Sequence, residues 1–354
     1  MYKSDVNQEL IVLMRGFFSM PVISTLGKLG VVEAMLSQQD FKLDDFSTVS
    51  NKNVLLKSFR YLSRLGLLEP KDEQKDIFRL SPLGQEVLRR HSSFYVPHSY
   101  HEYMNDFERL LNGTAMDVAG EVDRLENVIG SGLTHQRYFL PAISFLRRRS
   151  EADMLVDVGC GNGYFLREAL KAMVLKKVAG VDLSAISVKT TESNLKKEFS
   201  QCDITMICSD AFALEDWGRG VQEKAVGHKL AVSMWFLIHE ISQGDTARVI
   251  DFLKGIHRLF PEAPVVIGEL VQLSEEILAR ERATSIMPEY LFFHELSGQG
   301  ILTWDQYQRI LEQIPYELSS ERLFDELSDG NGGYVPSAFV WCLEPSRSKE
   351  ERYG

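Results

Sequence analysis

The sequence from Met154 to Gly163 is Met-Leu-Val-Asp-Val-Gly-Cys-Gly-Asn-Gly. Its first five residues are typical of a buried β-strand, and its last five, from Gly159, of a tight turn. The glycines permit positive φ angles and allow a ligand to approach the backbone closely. The following residues, Tyr164 to Met173, have the pattern of a helix. A strand, a glycine turn and a helix in this order predict a ligand site at the start of an α/β domain.

The chain beyond this turn alternates between strand and helix patterns. Further strands are predicted at 177–181, 204–208, 230–234, 264–267 and 338–343, and helices at 187–199 and 246–260. Such alternation favours a mainly parallel sheet with helices on both faces. The predicted fold class is therefore α/β, with a Rossmann-like domain over residues 151–354.

Acidic residues follow the second and third predicted strands of this domain. Asp182 ends the second strand, about 19 residues after the glycine turn, where a carboxylate can bind the two ribose hydroxyls of an adenosine. Asp210 and Phe212 follow the third strand and offer an acid and a ring for an adenine. The glycine spacing is GxGxG and not the GxGxxG of dinucleotide sites, which argues against a dehydrogenase.

In this order of motifs the sequence resembles the class I S-adenosylmethionine-dependent methyltransferases, of the small-molecule O-methyltransferase type. The resemblance spans roughly Met154 to Leu343 and implies a mostly parallel sheet with a C-terminal antiparallel strand. It implies cofactor contacts from the glycine turn (Gly159, Gly161, Gly163), with Asp182 on the ribose and Asp210 and Phe212 on the adenine. Asp157, just before the turn, is expected to orient the methionine ammonium group.

The N-terminal region, residues 1–90, is predicted to be mostly helical. Two short strands at 67–70 and 77–80 separate its later helices, which is the arrangement of a winged-helix domain. One interpretation is DNA binding through Lys57, Arg60 and Arg64 on one helix face. The alternative, which the resemblance favours, is a dimerisation domain and hence a homodimer. Residues 91–150 are predicted to form a helical connector that lines the acceptor pocket.

Composition excludes several classes of protein. The chain has 354 residues, 44% of them hydrophobic and 25% charged, which matches a soluble globular protein of about two or three domains. A net charge of −11 argues against a general nucleic-acid binder. The longest nearly apolar run, Leu230 to Ile238, is short for a membrane span, and the N-terminus does not have the pattern of a signal peptide. We therefore expect a cytoplasmic protein with no membrane or nucleic-acid partner.

The segment after the fourth strand bears on the chemistry. It contains His239, Glu240 and Ile241 where related O-methyltransferases carry His-Asp-Trp, so the resemblance makes His239 a general base for a hydroxyl proton. The two residues after it depart from that pattern. Glu269, which ends the fifth strand, either orients His239 or caps the sheet edge. The function that follows is O-methylation of a small hydroxylated aromatic metabolite.

A second histidine, His294, favours a different acceptor. The run Tyr290-Leu-Phe-Phe-His294-Glu295-Leu resembles a smaller subgroup, the β-carbon methyltransferases of 2-oxo acids such as the phenylpyruvate and 5-guanidino-2-oxopentanoate enzymes. In the phenylpyruvate enzyme two histidines hold an iron ion that the substrate chelates. The resemblance implies that His239 and His294 bind one divalent metal, iron or alternatively zinc, which would act as a Lewis acid on the keto group.

Further candidates accompany this second hypothesis. Glu240 or Glu295 would serve as the base for the β-carbon proton, and Arg124 would clamp the substrate carboxylate. C-methylation of a 2-oxo acid is the leading hypothesis, O-methylation the second, and a regulator that binds S-adenosylmethionine as an effector the third. His294 is alternatively a core histidine. The remaining histidines outside the 100–103 segment are interpreted as surface or structural: His91, His98, His135, His228 and His257.

Overall fold

The computed structural model describes residues 2–72, 74–114, 122–148, 151–281, 285–330 and 332–346. By its internal contacts the chain divides into two compact units, Met1–Thr134 and His135–Gly354. The boundary between them falls within one long helix, Arg124–Arg148. The predicted limits of 1–90, 91–150 and 151–354 stay predictions, and residues 149–150 lie outside the described residues.

The N-terminal unit begins with one long helix, Tyr2–Lys28, and continues in short ones. Pro21 lies inside the long helix and does not end it, since a proline removes one hydrogen bond and can be accommodated as a kink. The other α-helices before Arg124 are Val31–Leu36, Lys52–Arg64, Pro82–Leu88, Tyr95–Ser99, His101–Asn105 and Phe107–Leu111, with 3₁₀ turns at Leu43–Asp45 and His91–Phe94.

A small antiparallel sheet completes this unit in the manner of a winged helix. Its strands are β1 (Phe41–Lys42), β2 (Leu68–Asp72) and β3 (Ile77–Leu80), in the order β1-β3-β2. Phe59 is fully buried beneath them and makes edge-to-face contacts, at centroid distances of 5.4–5.6 Å, with the rings of Phe41, Phe46 and Phe78. These aromatic contacts hold the helix Lys52–Arg64 against the sheet.

A buried carboxylate joins three helices of the same unit. Glu126 accepts hydrogen bonds from Ser24 Oγ, from Lys28 Nζ at 3.0 Å and from His98 Nδ1 at 2.9 Å. Burial alone would raise the pKa of Glu126, but these donors hold it below its usual range. Burying a charged carboxylate is costly unless hydrogen-bond donors surround it, and these three side chains supply the donors.

The first helix has an extensive apolar surface. The stretch Val6–Lys28 is long and apolar enough to cross a membrane by length and composition, with a mean hydropathy of 1.6, although one such helix is weak evidence. Charged and polar residues interrupt its apolar ones, so a search for an uninterrupted run misses it. Its large exposed side chains are Val6, Leu10, Ile11, Val12, Leu13, Met14, Phe17 and Phe18.

The C-terminal unit is built on a seven-stranded sheet. Its mainly parallel arrangement is as predicted, whereas the strand Tyr316–Phe324 is not among the predicted strands. Five parallel strands come first: β4 (Met154–Val158), β5 (Lys177–Asp182), β6 (Asp203–Cys208), β7 (Leu230–Trp235) and β8 (Val265–Leu270). Two antiparallel strands follow, β9 (Tyr316–Phe324) and β12 (Ala338–Pro345), with a separate pair β10 (Leu327–Ser328) and β11 (Tyr334–Val335). The strand order is β6-β5-β4-β7-β8-β12-β9.

This order places the carboxyl ends of the parallel strands along one edge. The central strands β4 and β7 are buried throughout and consist mainly of apolar residues, as expected for a sheet covered on both faces. The predicted C-terminal strand is confirmed: β12 pairs antiparallel with β8, from Ala338 opposite Leu270 to Leu343 opposite Val265. The α-helices of this unit are Tyr164–Ala172, Ala185–Glu198, Leu214–Ala225, Ile238–Ser242, Thr246–Leu259, Glu275–Glu281, Met287–Leu296 and Trp304–Gln313.

Candidate active site

The glycine turn after β4 adopts the backbone that its sequence predicts. Gly159, Gly161 and Gly163 have φ angles of 72°, 51° and 71°, a region that side chains other than glycine rarely adopt. A Cβ on Gly163 would also lie 2.4 Å from Cγ2 of Thr191. The N–H groups of Gly159 and Cys160 donate to the carbonyl of Val181 at 2.8 and 3.0 Å, which attaches the turn to the end of β5.

Asp182 is held directly beneath this turn. Its Oδ2 accepts a hydrogen bond from the N–H of Gly161 at 2.8 Å, and its Oδ1 accepts one from the N–H of Ser184 at 2.9 Å. The side chain is half-buried at the end of β5. Two backbone donors therefore fix its carboxylate at the point where strand and turn meet.

Asp157, the last but one residue of β4, is fully enclosed. It accepts a hydrogen bond from Ser233 Oγ at 2.6 Å on the adjacent strand β7. Burial raises the pKa of Asp157 to about 7, an effect that the Ser233 hydrogen bond opposes and the charge of Asp182 reinforces. A buried carboxyl beside a second acid is the arrangement that favours a neutral form.

Asp210 and Phe212 follow β6, the next strand along the same edge. Asp210 is exposed, and its Oδ1 accepts a hydrogen bond from the N–H of Phe212 at 2.9 Å. Phe212 is 37% exposed, and its ring contacts Phe252 edge-on at 6.0 Å. Because β6, β5 and β4 are neighbours in the sheet, the residues predicted to bind the cofactor all lie at one edge.

His239 lies on the short helix Ile238–Ser242, directly after β7. Its Nδ1 is 2.9 Å from Oε1 of Glu269, a fully buried residue at the end of β8. The second oxygen of Glu269 accepts hydrogen bonds from the N–H groups of Ile238 at 2.7 Å and His239 at 3.3 Å. The carboxylate thus fixes both the imidazole ring and the start of the helix that carries it.

The pair has a defined effect on protonation. Burial alone would lower the pKa of His239, but the charge and hydrogen bond of Glu269, with a smaller contribution from Glu240, raise it above 6.5. Glu269 binds Nδ1, so Nε2 is the ring nitrogen available to a proton, an ion or a substrate. This arrangement orients a general base in the way that the carboxylate of a catalytic triad does.

His294 lies beside His239, although the two are distant in sequence. The ring centroids are 4.7 Å apart and the planes nearly perpendicular, at 83°. Nδ1 of His294 bonds to the carbonyl of Tyr290 at 2.5 Å within the helix Met287–Leu296. Burial and the charge of His239 lower the pKa of His294 to about 4, so its imidazole is neutral near pH 7.

The other predicted catalytic residues are Glu240, Glu295 and Arg124. Glu240 is half-buried, and its Oε1 accepts a hydrogen bond from Gln299 at 3.4 Å, while Glu295 is exposed. Arg124 is exposed and belongs to the N-terminal unit, so its role stays a prediction. Among the described residues no group of three or more histidine, cysteine, aspartate or glutamate side chains is arranged to hold a metal ion.

Two contributors to this site were not among the predicted site residues. The sequence leaves two roles open for Glu269, and the structure shows that it contacts His239. The sequence favours a surface or structural role for His135, yet its ring stacks on Phe236 at 3.6 Å and the charge of His239 affects its pKa. Glu269 could be recognised from the sequence because it ends a predicted strand. No local sequence pattern indicates that His135 lies near His239.

Comparison with known proteins identifies a domain family for part of the chain. Residues 155–256 match the family model described as "Methyltransferase domain". No curated protein matches the chain.

Solved structures share its architecture at low sequence identity. Human N-acetylserotonin methyltransferase, in complex with S-adenosylmethionine, is 14% identical with a TM-score of 0.61, over 98% of this chain and 100% of that one. The mitomycin 7-O-methyltransferase is 13% identical with a TM-score of 0.57, over 97% and 99%. An O-methyltransferase from neocarzinostatin biosynthesis, bound to the cofactor and a hydroxynaphthoic acid, is 12% identical with a TM-score of 0.52, over 92% and 96%.

The structural matches show a common fold, and the family model identifies a methyltransferase domain over residues 155–256. The expected enzyme class and α/β fold are confirmed. The chain carries a methyltransferase domain, within the fold of the S-adenosylmethionine-dependent small-molecule O-methyltransferases.

Proposed function

We propose that the protein transfers a methyl group from S-adenosylmethionine to a hydroxyl oxygen of a small aromatic metabolite. The observation that carries this proposal is the buried pair of His239 and Glu269, which leaves Nε2 of His239 available as a general base. The fold shared with the mitomycin 7-O-methyltransferase and with an O-methyltransferase bound to a hydroxynaphthoic acid supports the same acceptor class.

The residues at the strand ends fit S-adenosylmethionine. Side chains at Gly159 and Gly163 would crowd their neighbours, so the glycine turn presents bare backbone. Asp182, fixed at the end of β5, would accept hydrogen bonds from the ribose hydroxyls. Asp157, which is buried, would orient the methionine ammonium group through the glycine turn, and Asp210 and Phe212 would contact the adenine. When bound, the cofactor supplies a methyl group on a positively charged sulfur.

The chain's own part in the reaction is proton transfer and orientation. Nε2 of His239 would take the proton of the acceptor hydroxyl, so that its oxygen can form the new bond to the methyl carbon in place of the carbon–sulfur bond that breaks. Glu269 keeps the imidazole in one tautomer and stabilises the imidazolium ion that results. His294 is neutral near pH 7, so it adds no positive charge beside the imidazole of His239.

A second candidate function is C-methylation of the β-carbon of a 2-oxo acid. The observation in its favour is that His239 and His294 lie side by side, with Nδ1 of each already engaged and Nε2 left for an ion. Such anchoring of the second nitrogen is usual for histidines that bind metals. The pair supplies two protein ligands, whereas catalytic zinc sites use three, so the fit to iron or zinc is incomplete. Glu240, and less readily the exposed Glu295, would then be the base, with Arg124 as a clamp.

We also propose that the protein forms a homodimer through the helix Tyr2–Lys28. Eight large apolar side chains between Val6 and Phe18 are each at least 50% exposed. A continuous apolar surface of this kind usually marks an interaction site. We expect a second copy of the same helix to pack against this apolar surface. This agrees with the predicted dimerisation domain and with the predicted cytoplasmic location.

The cofactor assignment predicts the effect of changing Asp182. We expect Asp182→Ala to weaken binding of S-adenosylhomocysteine by at least ~1.5 kcal/mol, since a charge-assisted hydrogen bond is lost. Calorimetric titration measures this affinity. Asp203→Ala, at the exposed start of β6, is the matched control and should bind like the unaltered protein. Equal affinity in both variants would contradict the assignment.

The two candidate reactions predict different responses to chelation and to loss of each histidine. If His239 is a base, His239→Ala lowers kcat by roughly 10²- to 10⁴-fold, while His294→Ala is mild and a chelator has no effect. If the histidines share a metal, both variants abolish turnover and exhaustive chelation does the same. Mass spectrometry of a panel of phenols and 2-oxo acids reads out the added methyl group. Full activity after chelation excludes the metal.

The pH dependence of kcat tests the His239–Glu269 pair. Only neutral His239 accepts a proton, and Glu269 raises its pKa, so kcat should rise with pH through a midpoint above 6.5. Glu269→Gln removes the charge and should move this midpoint to lower pH, and Glu240→Gln should move it less. Glu276→Gln, on an exposed helix face, should leave it unchanged. If Glu269→Gln leaves the midpoint unchanged, the proposed role of the His239–Glu269 pair is wrong.

The dimer proposal predicts a sedimentation result. At micromolar concentration we expect a species of about twice the 40.3 kDa of one chain. Replacing Phe17 and Phe18 together by glutamate should produce the single-chain species, because two charges would be buried without partners. Leu111→Glu, at an isolated exposed position of the same unit, is the control. A 40.3 kDa species for the unaltered chain would contradict the proposal.

A further inference from the structure

His135 is fixed in position by aromatic contacts near the candidate base. It is the first residue of the C-terminal unit, and its ring stacks on that of Phe236 with centroids 3.6 Å apart and planes at 26°. Tyr138 contacts both rings edge-on, at 6.2 and 5.3 Å. Such contacts define the plane of the imidazole as well as its location.

Phe236 connects this stack to the segment that carries His239. It follows β7 directly and has a φ angle of 51°, a left-handed conformation that is strained for a bulky residue. Its N–H donates to the carbonyl of Gly268 at 2.8 Å, which holds the strained residue against β8. Backbone strain of this kind is found preferentially at functional sites, and here it lies three residues before His239.

The imidazole nitrogens of His135 have no hydrogen bond within the part of the chain that the structure describes. In most of the other histidines Nδ1 is engaged by a carbonyl or a carboxylate: His91, His98, His101, His228, His239 and His294. His135 is half-buried, so its ring is partly enclosed by its neighbours without being sealed off from the surface. A histidine that is held in place but not hydrogen-bonded is available to bind a small molecule.

The charge state of His135 limits what it can bind. Burial and the charges of His239 and Arg137 lower its pKa to about 3. The ring is therefore neutral near pH 7 and offers one donor and one acceptor. It suits a hydroxyl or carbonyl oxygen rather than a carboxylate, and it is too weak a base to replace His239.

We propose that His135 hydrogen-bonds a second, neutral oxygen of the acceptor, beside the oxygen whose proton His239 removes. The protein would accordingly select acceptors with two adjacent oxygens, such as catechols, over those with one. This inference rests on the O-methylation proposed above and adds a specificity-determining residue to it. The stack on Phe236 is what holds the imidazole at a set position relative to His239.

The test compares catechol with phenol as ligands of the complex with S-adenosylhomocysteine, in which no methyl group is transferred. Calorimetric titration should show catechol binding roughly tenfold more tightly than phenol to the unaltered protein, the effect of one neutral hydrogen bond. In His135→Phe, which retains an aromatic ring to stack on Phe236, catechol should bind no more tightly than phenol. His228→Asn is the control and should retain the tenfold preference.

The outcomes separate this inference from the proposed function. It is overturned if the unaltered protein binds the two ligands equally or not at all, or if His135→Phe retains the preference. Affinity for S-adenosylhomocysteine, measured in each variant, should stay within about twofold and reports that the fold is intact. Loss of activity in His239→Ala tests O-methylation separately, so either proposal can fail while the other stands.

Discussion

The buried carboxylate of Glu269 is the interaction on which the rest of the site depends. Its oxygens accept hydrogen bonds from the ring of His239 and from the N–H groups of Ile238 and His239. Removing a fully buried carboxylate from water is costly unless donors surround it, and here the donors belong to the segment that must be positioned. The same contacts that stabilise the charge therefore orient the imidazole, start the helix and raise the pKa of the base.

A second buried carboxylate shows that such pairing does not by itself make an active site. Glu126 in the N-terminal unit is bound by His98, Lys28 and Ser24, all on helices of that unit. There the histidine shares the carboxylate with an ammonium group, and the network serves to hold helices together. At Glu269 the remaining donors are backbone N–H groups at the carboxyl ends of parallel strands, the edge at which α/β sheets bind ligands.

The parallel sheet determines how the residues proposed to bind the cofactor and the acceptor are distributed along that edge. The glycine turn, Asp182 and Asp210 follow β4, β5 and β6 on one side of the sheet, while His239 and Glu269 follow β7 and β8 on the other. The strand order reverses beside β4, so the two groups face the crevice where the topology switches. In the proposed reaction the methyl donor would bind on the first side and the acceptor would meet His239 on the second.

The local features of the fold and of the site can be predicted from the amino-acid sequence. The glycine turn, the acids at strand ends and the antiparallel last strand are recognisable because each depends on a few consecutive residues and on strand periodicity. Only the tertiary structure decided which distant groups meet. His239 approaches His294 and Glu269, and His135 stacks on Phe236, through packing of separate helices and strands. Contacts between residues far apart in the chain have no local pattern, since they depend on how whole elements pack, and so the protonation states they produce appear only in the folded chain.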